Sequence, residues 1–211
     1  MKNVKLVCFD LDDTLIRDTD SVMIPCILNG KEKEQLTIIA REESGELDYI
    51  SADHLSAKLF RGLVETDITD FFLTVAKPLD NIGYVVDALH GKGISCIVIT
   101  VGPKQVAKAV CNIWGFDSYY GTEYEVVDGL FTGNITLYNN VNDKVRCLID
   151  YCEKHNITPD ECIAVGDGIT DIPVFEYCGK SIAINAPLDV KMRATHSIDT
   201  DDLSGILRFI L

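Results

Sequence analysis

Four short runs along the chain are apolar at nearly every position: residues 5–9 (KLVCF), 95–100 (SCIVIT), 162–165 (CIAV) and 181–184 (SIAI). Runs of this length without polar alternation fit strands buried on both faces, as in a parallel sheet covered by helices. Helical spacing fills the gaps between them. Residues 80–90 read as a helix stopped by Gly91-Lys92-Gly93, and 104–114 as one stopped by Gly115. Residues 143–155 carry Val145, Leu148, Ile149 and Cys152 on one face. Strand and helix in alternation predict an α/β core built on a doubly wound, mostly parallel sheet.

Two segments break the rhythm. Residues 124–135 (YEVVDGLFTGNI) place Asp128-Gly129 between apolar pairs, a hairpin signal. Residues 16–77 hold no buried strand, but 21–28, 32–41, 52–60 and 67–75 all read as helices. The chain therefore divides into a core, 1–15 and 78–211, and a small helical domain, 16–77, inserted after the first strand.

Charge narrows the classes of function. Nineteen Lys and Arg against 33 Asp and Glu give a net charge of −14. That argues against nucleic-acid binding, which needs clustered cations, and against attachment to anionic membranes. No apolar run approaches the roughly 20 residues of a membrane-spanning helix. The start, Met1-Lys2-Asn3-Val4-Lys5-Leu6-Val7, is basic and then apolar, but Asp10, Asp12 and Asp13 arrive too early for a signal peptide. The eight cysteines include no CxxC pair, and Cys8, Cys96 and Cys162 fall in or beside apolar runs. They read as reduced, buried small hydrophobes, which places the protein in the cytoplasm. His54, His90, His155 and His196 show no ligand-like grouping, and Trp114 reads as a core anchor at a helix end.

The chemistry gathers where strands end. Asp10 and Asp12 follow the first apolar run; Thr100, Val101 and Gly102 close the second; Lys144 opens a helix; Asp167 and Asp171 follow the third. In an open parallel sheet, ligands bind outside the carboxyl ends of the strands, so these distant residues are expected at one place. Converging carboxylates repel, and an oxygen-only set favours Mg²⁺, which commonly shares its shell with substrate phosphate. A carboxylate can attack phosphorus to give an acyl phosphate, and a second one nearby can protonate the leaving oxygen.

Asp10-Leu11-Asp12-Asp13-Thr14, then Thr100, then Lys144, then Gly166-Asp167-Gly168-Ile169-Thr170-Asp171 resemble, in order and spacing, the four motifs of the haloacid dehalogenase superfamily. The helical segment between the first two motifs and the hairpin before the third look closest to the phosphoserine phosphatase branch. The resemblance implies a Rossmann-like core with a helical cap and phosphoric monoester hydrolysis through an aspartyl phosphate. By it, Asp10 is the nucleophile and Asp12 the general acid and base. Mg²⁺ is held by Asp10, the Asp12 carbonyl and Asp167, with Asp171 in support. Thr100, Gly102 and Lys144 bind the phosphoryl oxygens. The implied partner is a small phosphorylated metabolite, with no nucleic acid and no membrane, and the enzyme is a monomer or homodimer. A transfer to an alcohol acceptor and a silent Mg²⁺-binding module are the alternatives.

The groups that read the amino acid in that branch are largely missing. Its Glu five residues after the first-motif Thr is Thr19 here, flanked by Asp18 and Asp20. Its cap Arg falls on Ser56 in a gapless match, or on Lys58 after a two-residue shift, and Lys does not replace Arg at a bidentate carboxylate site. Its Ser-Gly-Gly is Thr100-Val101-Gly102, and the Asn of its fourth motif is Thr170. A substrate other than phosphoserine is expected, with Arg17, Arg41, Lys58 or Arg61 as candidate readers of an anionic group.

Overall fold

The computed structural model describes residues 3–211; Met1 and Lys2, the basic start weighed above as a leader, lie outside the described residues. The apolar runs become strands. In chain order these are β1 (Leu6–Phe9), β2 (Ile16–Arg17), β3 (Lys77–Pro78), β4 (Ser95–Pro103), β5 (Ser118–Val127), β6 (Leu130–Leu137), β7 (Cys162–Gly166), β8 (Lys180–Ile184) and β9 (His196–Ile198). Seven of them form one sheet, ordered β6-β5-β4-β1-β7-β8-β9, with β1 at its centre. Every pairing is parallel except the β5–β6 hairpin.

Alternate residues of each strand serve opposite faces. Val7, Phe9, Cys96 and Val98 face one apolar cluster, and Leu6, Cys8, Ile97 and Ile99 face a second. The helices that cover the sheet are α5 (Ile82–His90), α6 (Lys104–Trp114), α7 (Val141–His155), α8 (Ile172–Tyr177), α9 (Leu188–Lys191) and α10 (Leu207–Ile210), after α1 (Met23–Leu28), α2 (Glu32–Glu43), α3 (Tyr49–Leu59) and α4 (Glu65–Val75) of the insert. The expected doubly wound, mostly parallel α/β architecture is the architecture observed.

Several details differ from the sequence reading. Helix α7 starts two residues earlier, because Asn140 and Asp143 form a reciprocal capping box. Strand β5 begins at Ser118, running parallel to β4 before it turns into the hairpin. The turn itself has Asp128 at φ +51° and Gly129 at φ +78°, as a tight primed turn requires. The short β2–β3 ribbon marks where the chain leaves and re-enters the core. Strand β9, three residues at the sheet edge, has no apolar run to announce it. Asp202 caps the following turn by accepting from Ser204 N, while Asp201 pairs with Arg17 and Asp199 with Lys191.

The insert meets the core at a third place. Gly62 N donates to Phe131 O (2.8 Å), Phe131 N to Leu63 O (3.0 Å) and Glu65 N to Gly129 O (2.9 Å). Phe60 of the insert is fully buried, stacked on Tyr124 and edge-on to Phe131. Phe72 meets Trp114 edge-to-face, which makes Trp114 an anchor between insert and core. The cysteines are free, and all but the half-buried Cys147 are buried.

Candidate active site

The site is built at the carboxyl ends of β1, β4 and β7. Asp10 N donates to Val165 O (2.9 Å), carrying the β1–β7 pairing one step past the strand. The chain then reverses through Asp13, whose φ of +55° an aspartate tolerates. Leu15 N closes the turn onto Leu11 O (2.8 Å). This brings Asp12 under Ser21, whose N and Oγ both donate to its carboxylate (2.6 and 2.7 Å).

From β4 comes Thr100, with its Oγ1 accepting from Gly102 N (2.9 Å) and lying 3.5 Å from Asp12 Oδ2. Gly102 has no room for a side chain: a Cβ there would lie 2.1 Å from Ser21 Oγ. The strand end is braced from behind. Asn139 Nδ2 donates to Thr100 O (2.7 Å) and Thr122 Oγ1 to Val101 O (2.7 Å).

Lys144, in the first turn of α7, is 1% exposed. Its Nζ donates to Asp10 Oδ1 (2.6 Å) and Asp171 Oδ1 (2.7 Å). The other Asp171 oxygen accepts from Asp167 N and Gly168 N (both 3.1 Å). Gly166 must be glycine, since a Cβ there would sit 2.4 Å from Asp171 Cγ. Thr14 Oγ1 donates to Asp167 Oδ1 (3.0 Å), tying the first motif to the fourth.

Oxygens of Asp10, Asp167 and Asp171 all lie within 4.8 Å of one another. Three carboxylates against the one Lys144 ammonium leave an excess of two negative charges, and the donors are oxygen only. That suits a hard divalent cation. Asp171 is largely committed to Lys144 and two N–H groups, which leaves Asp10 and Asp167 as the better placed ligands. Burial, then the Asp171 charge, pushes the Asp10 carboxyl well above the ordinary range against the pull of Lys144. The same two causes raise Asp167 to about 6. Burial raises Asp12 to about 6 despite the Ser21 hydrogen bonds. Burial works against the Lys144 ammonium, but Asp10 and Asp171 outweigh it and hold its pKa above the ordinary lysine value.

Asp10, Asp12, Thr100, Gly102, Lys144, Asp167 and Asp171 are thus brought together from four separate segments. A cavity of about 500 Å³ opens from Asp12 and Asp13 toward the insert. None of Arg17, Arg41, Lys58 and Arg61 lines it. Arg17 pairs with Asp201 and Arg41 with Glu46, while Lys58 and Arg61 lie beside Gly133 of the hairpin. Sequence reasoning missed Ser21, Asn139 and Thr122, which hold Asp12, Thr100 and Val101. Ser21 carries no local signal, because its contact with Asp12 is made by the loop between them.

The model of the haloacid dehalogenase-like hydrolases matches residues 7–176. The chain belongs to the haloacid dehalogenase-like hydrolase family. Within the family, a phosphoserine phosphatase from Halobacterium salinarum is 30% identical over 204 residues, covering 95% of each chain. One from Streptococcus thermophilus is 26% identical over 219 residues, covering all of this chain and 98% of that one. Among solved structures, a substrate-bound phosphoserine phosphatase superposes with a TM-score of 0.80 at 24% identity over the whole of both chains. A HAD family hydrolase from Salmonella enterica serovar Typhi reaches 0.85 at 22% identity, over 99% of this chain and 72% of that one. These likenesses agree with the fold, and this family member is an enzyme of the phosphatase kind.

Proposed function

We propose that this phosphatase hydrolyses a small phosphorylated metabolite with Mg²⁺, through an aspartyl phosphate on Asp10. The observation that carries the reading is the buried contact of Lys144 with Asp10 and Asp171 beside Asp12 at the carboxyl end of the central strand. Asp10 is the carboxylate that attacks phosphorus. The ester P–O bond breaks as Asp12, half-protonated near pH 6, gives its proton to the leaving oxygen. Asp12 then takes a proton from the water that attacks the acyl phosphate, releasing phosphate and restoring Asp10. Ser21 keeps the Asp12 carboxylate aimed through both steps. Lys144, Thr100 and the Gly102 N–H bind the equatorial oxygens. Asp10, Asp167 and the Asp12 carbonyl, with Asp171 in support, would hold Mg²⁺, which would supply charge neutralisation for the transferring group.

The two alternatives, transfer to an alcohol and a silent Mg²⁺-binding module, draw no support from any observation that hydrolysis does not explain equally. The test is hydrolysis of p-nitrophenyl phosphate with and without Mg²⁺, for the wild type and Asp10→Asn. Turnover that needs Mg²⁺ and falls on the order of 10⁴-fold or more in the variant is expected. Mg²⁺-dependent retention of beryllofluoride by the wild type alone would accompany it. Undiminished turnover in Asp10→Asn would overturn the mechanism.

A further inference from the structure

The cavity that leads from Asp12 into the insert has a lining of two unlike kinds. One is apolar, made by Met23, Ile27, Leu36, Ile39 and Val75. The other carries Asp18, Asp20 and Glu32 beyond the catalytic loop, and the one cation in the lining, among the described residues, is Lys77. Lys77 faces Asp18, with its Nζ 3.2 Å from Asp18 Oδ2 in a pair open to water. Asp20 spends one oxygen on Met23 N (2.6 Å) at the start of α1. No ion pair engages Asp20 or Glu32 among the described residues. The lining therefore holds two water-exposed carboxylates without an ion-pair partner among the described residues, in a cavity of small-molecule size.

This arrangement is complementary to one class of organic group. A carboxylate on the substrate would face Asp18, Asp20 and Glu32 against the single ammonium of Lys77, which Asp18 already meets. An ammonium would supply the missing counter-charge, and a hydrocarbon stem would cover the apolar wall. We infer that the substrate is a phosphate monoester of an amino alcohol, cationic at its far end, carrying no carboxylate, and joined by an apolar stem. The inference rests on the phosphatase reading and names the substrate class for that same site. Phosphate is held at the catalytic floor, the stem lies along Leu36 and Ile39, and the ammonium lies between Asp20 and Glu32.

Phosphoethanolamine and phosphoserine differ by one carboxylate, so their ratio of kcat/KM isolates the charge effect. The unmodified protein is expected to prefer phosphoethanolamine by about tenfold or more. Glycerol 3-phosphate, uncharged at its far end, should fall between them, and 4-aminobutyl phosphate should exceed phosphoethanolamine by covering more of the apolar wall. Glu32 is exposed in the first turn of α2, where a replacement leaves the core untouched. Glu32→Lys should lower the phosphoethanolamine to phosphoserine ratio by about tenfold, mainly through KM, and Glu32→Gln should lower it by less. Phosphoserine turned over as well as phosphoethanolamine, or a ratio unmoved by both variants, overturns the inference while p-nitrophenyl phosphate turnover keeps the phosphatase reading. Absence of turnover on every ester, p-nitrophenyl phosphate included, overturns that reading and this inference with it.

Discussion

At the carboxyl ends of β1, β4 and β7, charged side chains are buried and hold one another: Lys144 spans Asp10 and Asp171, and Asp12 sits under Ser21. In the insert, Lys31 with Glu34, Arg41 with Glu46 and Lys77 with Asp18 all lie largely open to water. Both regions are rich in ions, yet the energetic weight of each ion differs. Removing one partner of a buried pair strands the other and costs about 3–5 kcal/mol. An exposed pair contributes about 0–1 kcal/mol. The carboxyl end of the sheet therefore tolerates few replacements, while the insert can change its charges at little cost to the fold. A chain so built could keep its buried cluster while the charges of the insert change.

Lys144→Met gives the sharpest form of this contrast. It should abolish turnover and lower the unfolding free energy by about 3–5 kcal/mol in a denaturant titration, because Asp10 and Asp171 then face each other without a cation. Stability within 1 kcal/mol of the wild type would break the comparison. Gly102→Ala comes next. Its methyl group would displace Ser21 from Asp12, and kcat should fall on the order of 10²-fold with most of the stability retained. Arg41→Ala lies at the other end. It removes an exposed pair outside the cavity and should shift stability by no more than about 0.5 kcal/mol, with KM unchanged. A large rise in KM would return Arg41 to the substrate site.

The parts of the molecule legible in its sequence share a physical cause. Strands β1, β4, β7 and β8 are buried on both faces, so their apolar runs were plain. Strand β9 has a neighbour on one side only and the polar sequence His196-Ser197-Ile198 with no residue fully buried, so it left no such trace. The start of β5, Ser118-Tyr119-Tyr120, is half-exposed and equally silent. At the candidate site, Asp10, Asp12, Asp167, Asp171 and Lys144 were legible because each follows a strand or opens a helix at a set spacing. Their supports were not, because Ser21 and Asn139 reach their partners only after the loops have folded. The basic residues of the insert show the converse limit. A helix announces that Arg41 exists, but not that Glu46 will claim it, and Arg17 finds its partner at Asp201, 184 positions away.

The docking of the hairpin onto the insert has a mechanical consequence. Two chain crossings, at β2 and β3, define an axle about which a lid could turn. The three hydrogen bonds from 62–65 to 129–131 lie on a separate arm, and a body pinned on an axle and again by an arm cannot rotate unless the arm goes too. Past Thr122, β5 leaves β4 and pairs with β6 alone, and its register slips between Glu123 and Val126. The insert is thus coupled to the hairpin and, through Phe72 on Trp114, to α6, so that any displacement of it would load the strand whose Thr122 steadies the carbonyl of Val101 next to Thr100.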